Sequence, residues 1–227
     1  MGAFFRQALT ITIKDLKAEI RTKEAINASF AFAIVILVLF SFAFDPLEDT
    51  TRDMSGGLLW IVFAFAGVLV LNRSFARELP NDCLDALIAA PISGAALFLG
   101  KSVANYLLLL AVELVSLPVF GIFYNVHWTT QFWSLMLVLV LGTWGLTLIG
   151  TFCSALTVNI RLREVMLPML TYPALVPVLM GSMQLTVSLM AGKPIGEETM
   201  PWLKLLAGFD IVFTAASLVL VEVVLVG

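Results

Sequence analysis

The chain holds one histidine and two cysteines in 227 residues, and only 13% of its residues are charged. Each scarcity excludes something. Cys83 and Cys153 form neither a CxxC redox pair nor a metal-ligating cluster, and they read as inert small residues. A single histidine, His127, with scattered acids does not supply the facing ligands that an intramembrane metalloenzyme needs. A soluble domain carries about 25% charged residues. This chain, 60% hydrophobic with a mean hydropathy of +1.01, has too few polar groups to cover a globular surface. No nucleic-acid partner is expected.

The glycine spacing of a phosphate loop is missing too. "PISGAALFLGKS", residues 91–102, ends in Gly100-Lys101-Ser102 but has Ala95 where the motif requires glycine, with Gly94 one residue too far upstream. Bulky Leu97, Phe98 and Leu99 fill what should be a tight loop. Lys101 is instead expected to mark the water-facing start of a membrane helix.

What is present is apolar length. Crossing a ~30 Å hydrocarbon core takes roughly 17–25 residues. Six runs are read as spans, at about 26–44, 56–71, 103–124, 132–158, 165–191 and 205–226, the second of them shorter than the rest. This predicts an all-α membrane protein in one transmembrane domain over 1–227, with both termini on one side. No signal peptide is expected, because the first 25 residues are charged throughout. Ten of the thirteen Lys and Arg residues lie in the N-terminal segment, in the loop after span two and in the loop after span four. By the positive-inside rule both termini are expected in the cytoplasm.

Residues 1–25 carry Phe5, Leu9, Ile13, Leu16 and Ile20 at helical spacing, with Arg6, Lys14, Lys17 and Arg21 on another face. Such a helix lies in the headgroup layer, as a topology anchor or as a sliding elbow. The loop 72–101 is long for a chain that otherwise turns tersely. Within it, Asp82 and Asp85 offer an acidic helix start, Leu84, Leu87 and Ile88 form a small apolar stripe, Pro91 ends the helix and Ser93 caps the next. The stripe has two readings, presentation to a partner or packing under its own bundle. Pro168, Pro173 and Pro177 fall in one span and predict a kinked or broken helix, structural or gating. Gly150 and Ser154 have the spacing that lets helices approach closely, within the bundle or between subunits. Glu113 lies mid-span, where a charge costs at least ~2.5–3.5 kcal/mol. It is a candidate for a transport or coupling role, or for an interhelical hydrogen bond. His127 is an outer-loop residue, able to ligate haem iron but more simply an ordinary one.

Three stretches carry a family likeness: "FARELPNDCLDALIAAPISGAALFLGKSVAN", "VELVSLPVFGIFYNV" and "REVMLPMLTYPALVPVL". They resemble the membrane subunits of ABC-2-type ABC transporters, and within these the CcmB family, the haem-exporter membrane subunit of the cytochrome c maturation system. The likeness covers nearly the whole chain. It implies an elbow helix, six spans and a cytoplasmic coupling helix between spans two and three. It implies that Arg77, Glu78, Asp82, Leu84, Asp85, Leu87 and Ile88 serve ATPase coupling. It also implies a separate cytoplasmic ATPase subunit that binds the ATP, further cytochrome c maturation membrane proteins, a periplasmic haem chaperone and a second copy of this chain, in the bacterial inner membrane. Haem enters as a possible substrate, and no cofactor is expected to be bound directly. The likeness leaves two tasks open, haem export or release of the haem-loaded chaperone. The competing readings are a proton-coupled secondary transporter working through Glu113 and an intramembrane enzyme.

Overall fold

In the computed structural model the described residues are 2–44, 49–80, 83–126 and 128–226. Asp82 and His127 lie outside them, as do the side chains of Asp85 and Ile88. The described residues form eight α-helices and no strand: α1 Gly2–Thr22, α2 Glu24–Ala43, α3 Asp49–Leu71, α4 Cys83–Ala89, α5 Gly94–Phe123, α6 Phe132–Thr157, α7 Arg163–Met190 and α8 Met200–Val226. A 3₁₀ turn, Ala76–Glu78, precedes α4. Six helices, α2, α3 and α5 to α8, are long and apolar enough to cross a membrane. The all-α, six-span expectation therefore holds.

Boundaries differ from the apolar runs where polar residues join a helix. The third span is expected from about residue 103, yet α5 starts at Gly94, where the Ser93 hydroxyl accepts the N–H of Ala96 at 3.2 Å. At 30 residues and a rise of ~1.5 Å each, α5 outruns the ~30 Å core. The second span gains a turn and more, starting at Asp49. α7 is one continuous helix with Pro168, Pro173 and Pro177 inside it, so of the two expectations, kinked or broken, the broken one is corrected. Each proline leaves one carbonyl without its helical N–H, those of Glu164, Met169 and Pro173, but none stops the helix.

α6 and α3 are the most enclosed spans, while α2 and α8 lie outermost. Glycines on α6 set how closely its neighbours approach. A Cβ at Gly142 would fall 2.2 Å from the Trp60 ring of α3, and one at Gly150 would fall 2.2 Å from Leu71 Cδ1. The Gly150 position thus serves packing inside the bundle. Trp60 is held there by donating its indole N–H to the Thr186 hydroxyl at 2.8 Å.

A second apolar cluster closes one end of the bundle. It joins Ile11 of α1, Phe75, Leu84 of α4, Leu97 of α5 and Val158, with Val224 of α8 packed against it. α1 and the last turn of α8 therefore lie at the same end.

Candidate functional site at the α1 end of the bundle

α1 meets the bundle with a mixed face, neither its apolar stripe nor its cationic one. Ala8, Ile11, Thr12 and Glu19 are buried against the rest of the chain, while Phe5, Leu9 and Ile20 are about 60% exposed (62%, 59% and 62%). The apolar stripe thus faces away from the protein, as a helix resting in the headgroup layer requires. Contact with α5 depends on Gly100. A Cβ there would sit 2.6 Å from the Ala8 carbonyl oxygen and 2.8 Å from Ile11 Cβ. The Thr12 hydroxyl lies between the carbonyls of Gly100, at 2.9 Å, and Ala8, at 3.0 Å. The Gln7 amide donates to the Pro91 carbonyl at 3.0 Å, tying α1 to the loop after α4.

Around this contact lies a buried charge cluster. Lys101 is 1% exposed, which overturns its expected water-facing place. Its ammonium donates to Asp15 at 3.1 Å, to Glu78 at 3.0 Å and to the Ser74 carbonyl at 3.0 Å. Three donors thus meet three acceptors, as a buried ammonium needs. The Phe75 ring adds a face 5.2 Å away. Lys14 pairs with Glu78 and Asp15 from the outer side. One helical turn beyond Lys101, the Asn105 amide donates to the hydroxyls of Ser74 and Thr151, both at 2.9 Å, and so brings in α6.

Glu19 has a separate task. One carboxylate oxygen accepts the N–H groups of Ala25 and Ile26, at 2.8 and 3.0 Å, and the other pairs with Arg77. An α1 side chain therefore caps the start of α2, whose own N-cap residue, Lys23, makes no side-chain cap. Lys23 takes the left-handed conformation, φ 55°, that lets α1 end and α2 begin. Glu24 pairs with Arg73 across the same corner.

Burial works to raise the Glu19 carboxyl pKa, but the N–H of Ile26, the Arg77 guanidinium and the N–H of Ala25 outweigh it. The net effect is below the ordinary 4.5. Burial works to lower the Lys14 pKa, but the carboxylates of Glu78 and Asp15 outweigh it and hold it above the ordinary 10.5. Glu19 therefore contributes fully above pH 4.5 and loses its contribution as pH falls through its lowered folded value. Lys14 contributes fully below 10.5 and loses its share as pH rises through its raised folded value. The expected result is that α1 attachment, read by protease protection of residues 14–21, stays flat from about pH 5 to 10 and weakens outside that window. Weakening already at pH 7 to 8 would contradict this assignment.

The coupling-loop candidates divide between inside and outside. Arg77 and Glu78 are occupied by Glu19, Lys14 and Lys101 within this chain. Leu84 is 4% exposed in the end cluster and Leu87 packs on its edge, so Leu84 is closed to a partner without local opening. The outward face of α4 carries Cys83, Ala86 and Ala89. Asp82 and the side chains of Asp85 and Ile88 fall outside the described residues.

Glu113 is fully buried in α5. It accepts a hydrogen bond from the Thr143 hydroxyl of α6 through one oxygen, while Oε1 has no partner among the described residues. Asp210 of α8 is 4% exposed with neither oxygen partnered among the described residues, beside Gly145, where a Cβ would lie 2.6 Å from Oδ1. Among the described residues no group of three or more His, Cys, Asp or Glu side chains forms a metal site. Sequence reasoning missed Asp15, Glu19, Lys101 and Asn105. The available signal was the polar face of α1, where Asp15 and Glu19 are one turn apart.

The family model described as "CcmB protein" matches residues 6–222. "Heme exporter protein B" of Rhodobacter capsulatus is 30% identical over 172 residues, covering 76% of this chain and 78% of that protein. The protein of the same name from Paracoccus denitrificans is 30% identical over 169 residues, 74% and 77% of the two chains. That of Pseudomonas aeruginosa is 32% identical over 196 residues, 86% of each. The match spans α1, the charge cluster and all six membrane-capable helices, and this multi-pass membrane protein belongs to the CcmB family.

Proposed function

We propose that this chain is the non-catalytic membrane subunit of a haem export system in the inner membrane of a bacterium. It couples ATP hydrolysis by a separate ATPase subunit to haem export or to release of a haem-loaded periplasmic chaperone during cytochrome c maturation. The observation that supports this reading is the charge cluster. Lys101 of α5 pairs with Glu78 and so ties the segment 72–93 to α5, while Lys14 pairs with Glu78 and Asp15 with Lys101, tying both to α1. A push on α4 would therefore be carried into a span and into the headgroup-layer helix together, rather than lost in a slack loop.

Coupling on this reading uses the small-residue face of α4. Ala86→Arg is expected to release a co-purifying ATPase while the chain still inserts, and a maleimide cross-linker on exposed Cys83 is expected to reach that ATPase. Normal ATPase association and normal cytochrome c maturation with Ala86→Arg would remove α4 as the coupling element.

On this reading both termini lie in the cytoplasm, with the α1 end facing that side. With the native cysteines replaced, thiols introduced at Asp49 and Glu197 are expected to label from outside and one at position 18 is not. Outside labelling at 18 would invert the arrangement.

One observation favours a second reading, proton coupling through Glu113, since its Oε1 is buried and unpartnered among the described residues. Glu113→Gln keeps the Thr143 hydrogen bond and removes the titration. Unchanged transport would leave the carboxyl an interhelical acceptor only.

A further inference from the structure

The α6–α7 turn carries a cleft that the charge cluster does not use. It has a volume of about 540 Å³ and is lined by Arg161, Arg163, Glu164, Asn159, Leu79 and neighbouring apolar residues. That volume lies within the range of small-molecule sites, roughly 300–1,000 Å³. Lys14, Arg73, Arg77 and Lys101 are all ion-paired within the chain, whereas Arg161 and Arg163 have no ion-pair partner among the described residues. Glu164 lines the same cleft without pairing to either of them, so the lining keeps a net positive charge.

Position fixes the chemistry. The turn 158–162 joins two membrane-capable helices, α6 and α7, and so lies at the lipid–water boundary. Leu162 and Val165 are 67% and 63% exposed beside the cleft, apolar surface that suits acyl chains. Unpaired guanidiniums above exposed aliphatic side chains match an anion that carries its own hydrocarbon.

We propose that the cleft formed by Arg161, Arg163, Leu79 and Val165 binds the phosphodiester headgroup of an anionic phospholipid. The guanidiniums take the phosphate, and the acyl chains lie along Leu162 and Val165. The bound lipid bridges the α6–α7 turn to Leu79, and so to the loop 72–101. This inference stands apart from the ATPase reading, because it needs only that α6 and α7 span the membrane.

The test uses the full chain in detergent and native mass spectrometry, with phosphatidylglycerol and phosphatidylcholine titrated in parallel. The wild type is expected to hold phosphatidylglycerol in preference to phosphatidylcholine. Arg161→Gln with Arg163→Gln is expected to weaken phosphatidylglycerol binding roughly 30-fold, the effect of two basic residues at a membrane surface. Glu164→Gln is expected to tighten it several-fold, which keeps the proposal testable if the double variant does not fold. Arg6→Gln with Lys17→Gln removes as much charge from exposed α1 and is expected to leave the preference in place. Four results would overturn the proposal: no headgroup preference in the wild type, an unchanged preference in the Arg161/Arg163 variant, an equal loss in the α1 variant, or Glu164→Gln without effect. Displacement by millimolar inorganic phosphate with no preference between the lipids would assign the cleft to free phosphate and overturn the lipid source. Retention of an acidic partner protein through Arg161 and Arg163, with no lipid preference, would likewise overturn it.

Discussion

Lys101→Met is expected to destabilise the chain by about 3–5 kcal/mol, the usual cost of removing one partner from a buried ionic group. The cost lies in what remains. Asp15 and Glu78 keep their negative charges in a nearly closed site, with only Lys14 to answer them, and the Ser74 carbonyl loses its donor. Adding Glu78→Gln to Lys101→Met removes one of the stranded charges and is expected to return part of the loss. This is the non-additivity that contacting residues show. The unfolding free energy in mixed micelles measures both. A Lys101→Met variant within about 0.5 kcal/mol of wild type, the range of ordinary surface substitutions, would mean that the cluster is not a structural tie. Nucleotide binding by an assembled complex should be untouched, because Lys101 sits inside α5 rather than in a phosphate loop.

Gly100→Leu is expected to lift α1 off α5. Its Cβ would meet the Ala8 carbonyl oxygen at 2.6 Å, and a backbone atom cannot swing aside as a side-chain tip can. Overpacking of this kind costs typically ~1–3 kcal/mol where the surroundings can shift. Here the shift also stretches the Thr12–Gly100 contact and the Lys101–Asp15 pair on the same face. The readout is limited trypsin digestion, with cleavage at Lys14 and Lys17 rising severalfold while the six spans stay protected. Digestion of the spans at the same rate would mean that the whole bundle had loosened, and an unchanged pattern would mean that α1 is not seated through Gly100. Gly100→Ala, adding only the Cβ, is expected to show the same change in weaker form.

The spans were legible because apolar length is a local property of the sequence. α2 and α6 start and stop within two residues of the runs read from composition. α5 was misjudged at its start because Lys101 looks like a boundary when its partners are not in view. Those partners, Asp15 and Glu78, are 86 and 23 positions away. The helical period of α1 was legible, but the partners of its polar face were not. In water the apolar stripe would turn to the protein. Beside a bilayer that stripe has a second apolar neighbour, and the face with Thr12 and Glu19 seats on the bundle instead. The apolar stripe of α4 left two directions open, and its Leu84 packs inward with Ile11, Phe75 and Leu97, with Leu87 at the edge. The three prolines of α7 overstated the break, because neighbours in a bundle can re-satisfy the freed carbonyls and let the helix continue past them.

The 86-position gap between Asp15 and Lys101 also sets an order of events in time. Asp15 leaves the ribosome before Lys101, and at ~5–20 residues per second the lysine follows roughly 4–17 seconds later. Until residues 77 and 78 are made, Asp15 and Lys14 have only each other and Glu19 holds only the nearby start of α2; Arg77 and Glu78 then join them, and Lys101 comes last. α1 is thus made well before it is fully fastened. A fastened α1 reports that the chain has been synthesised past residue 101 and that α5 has taken its place.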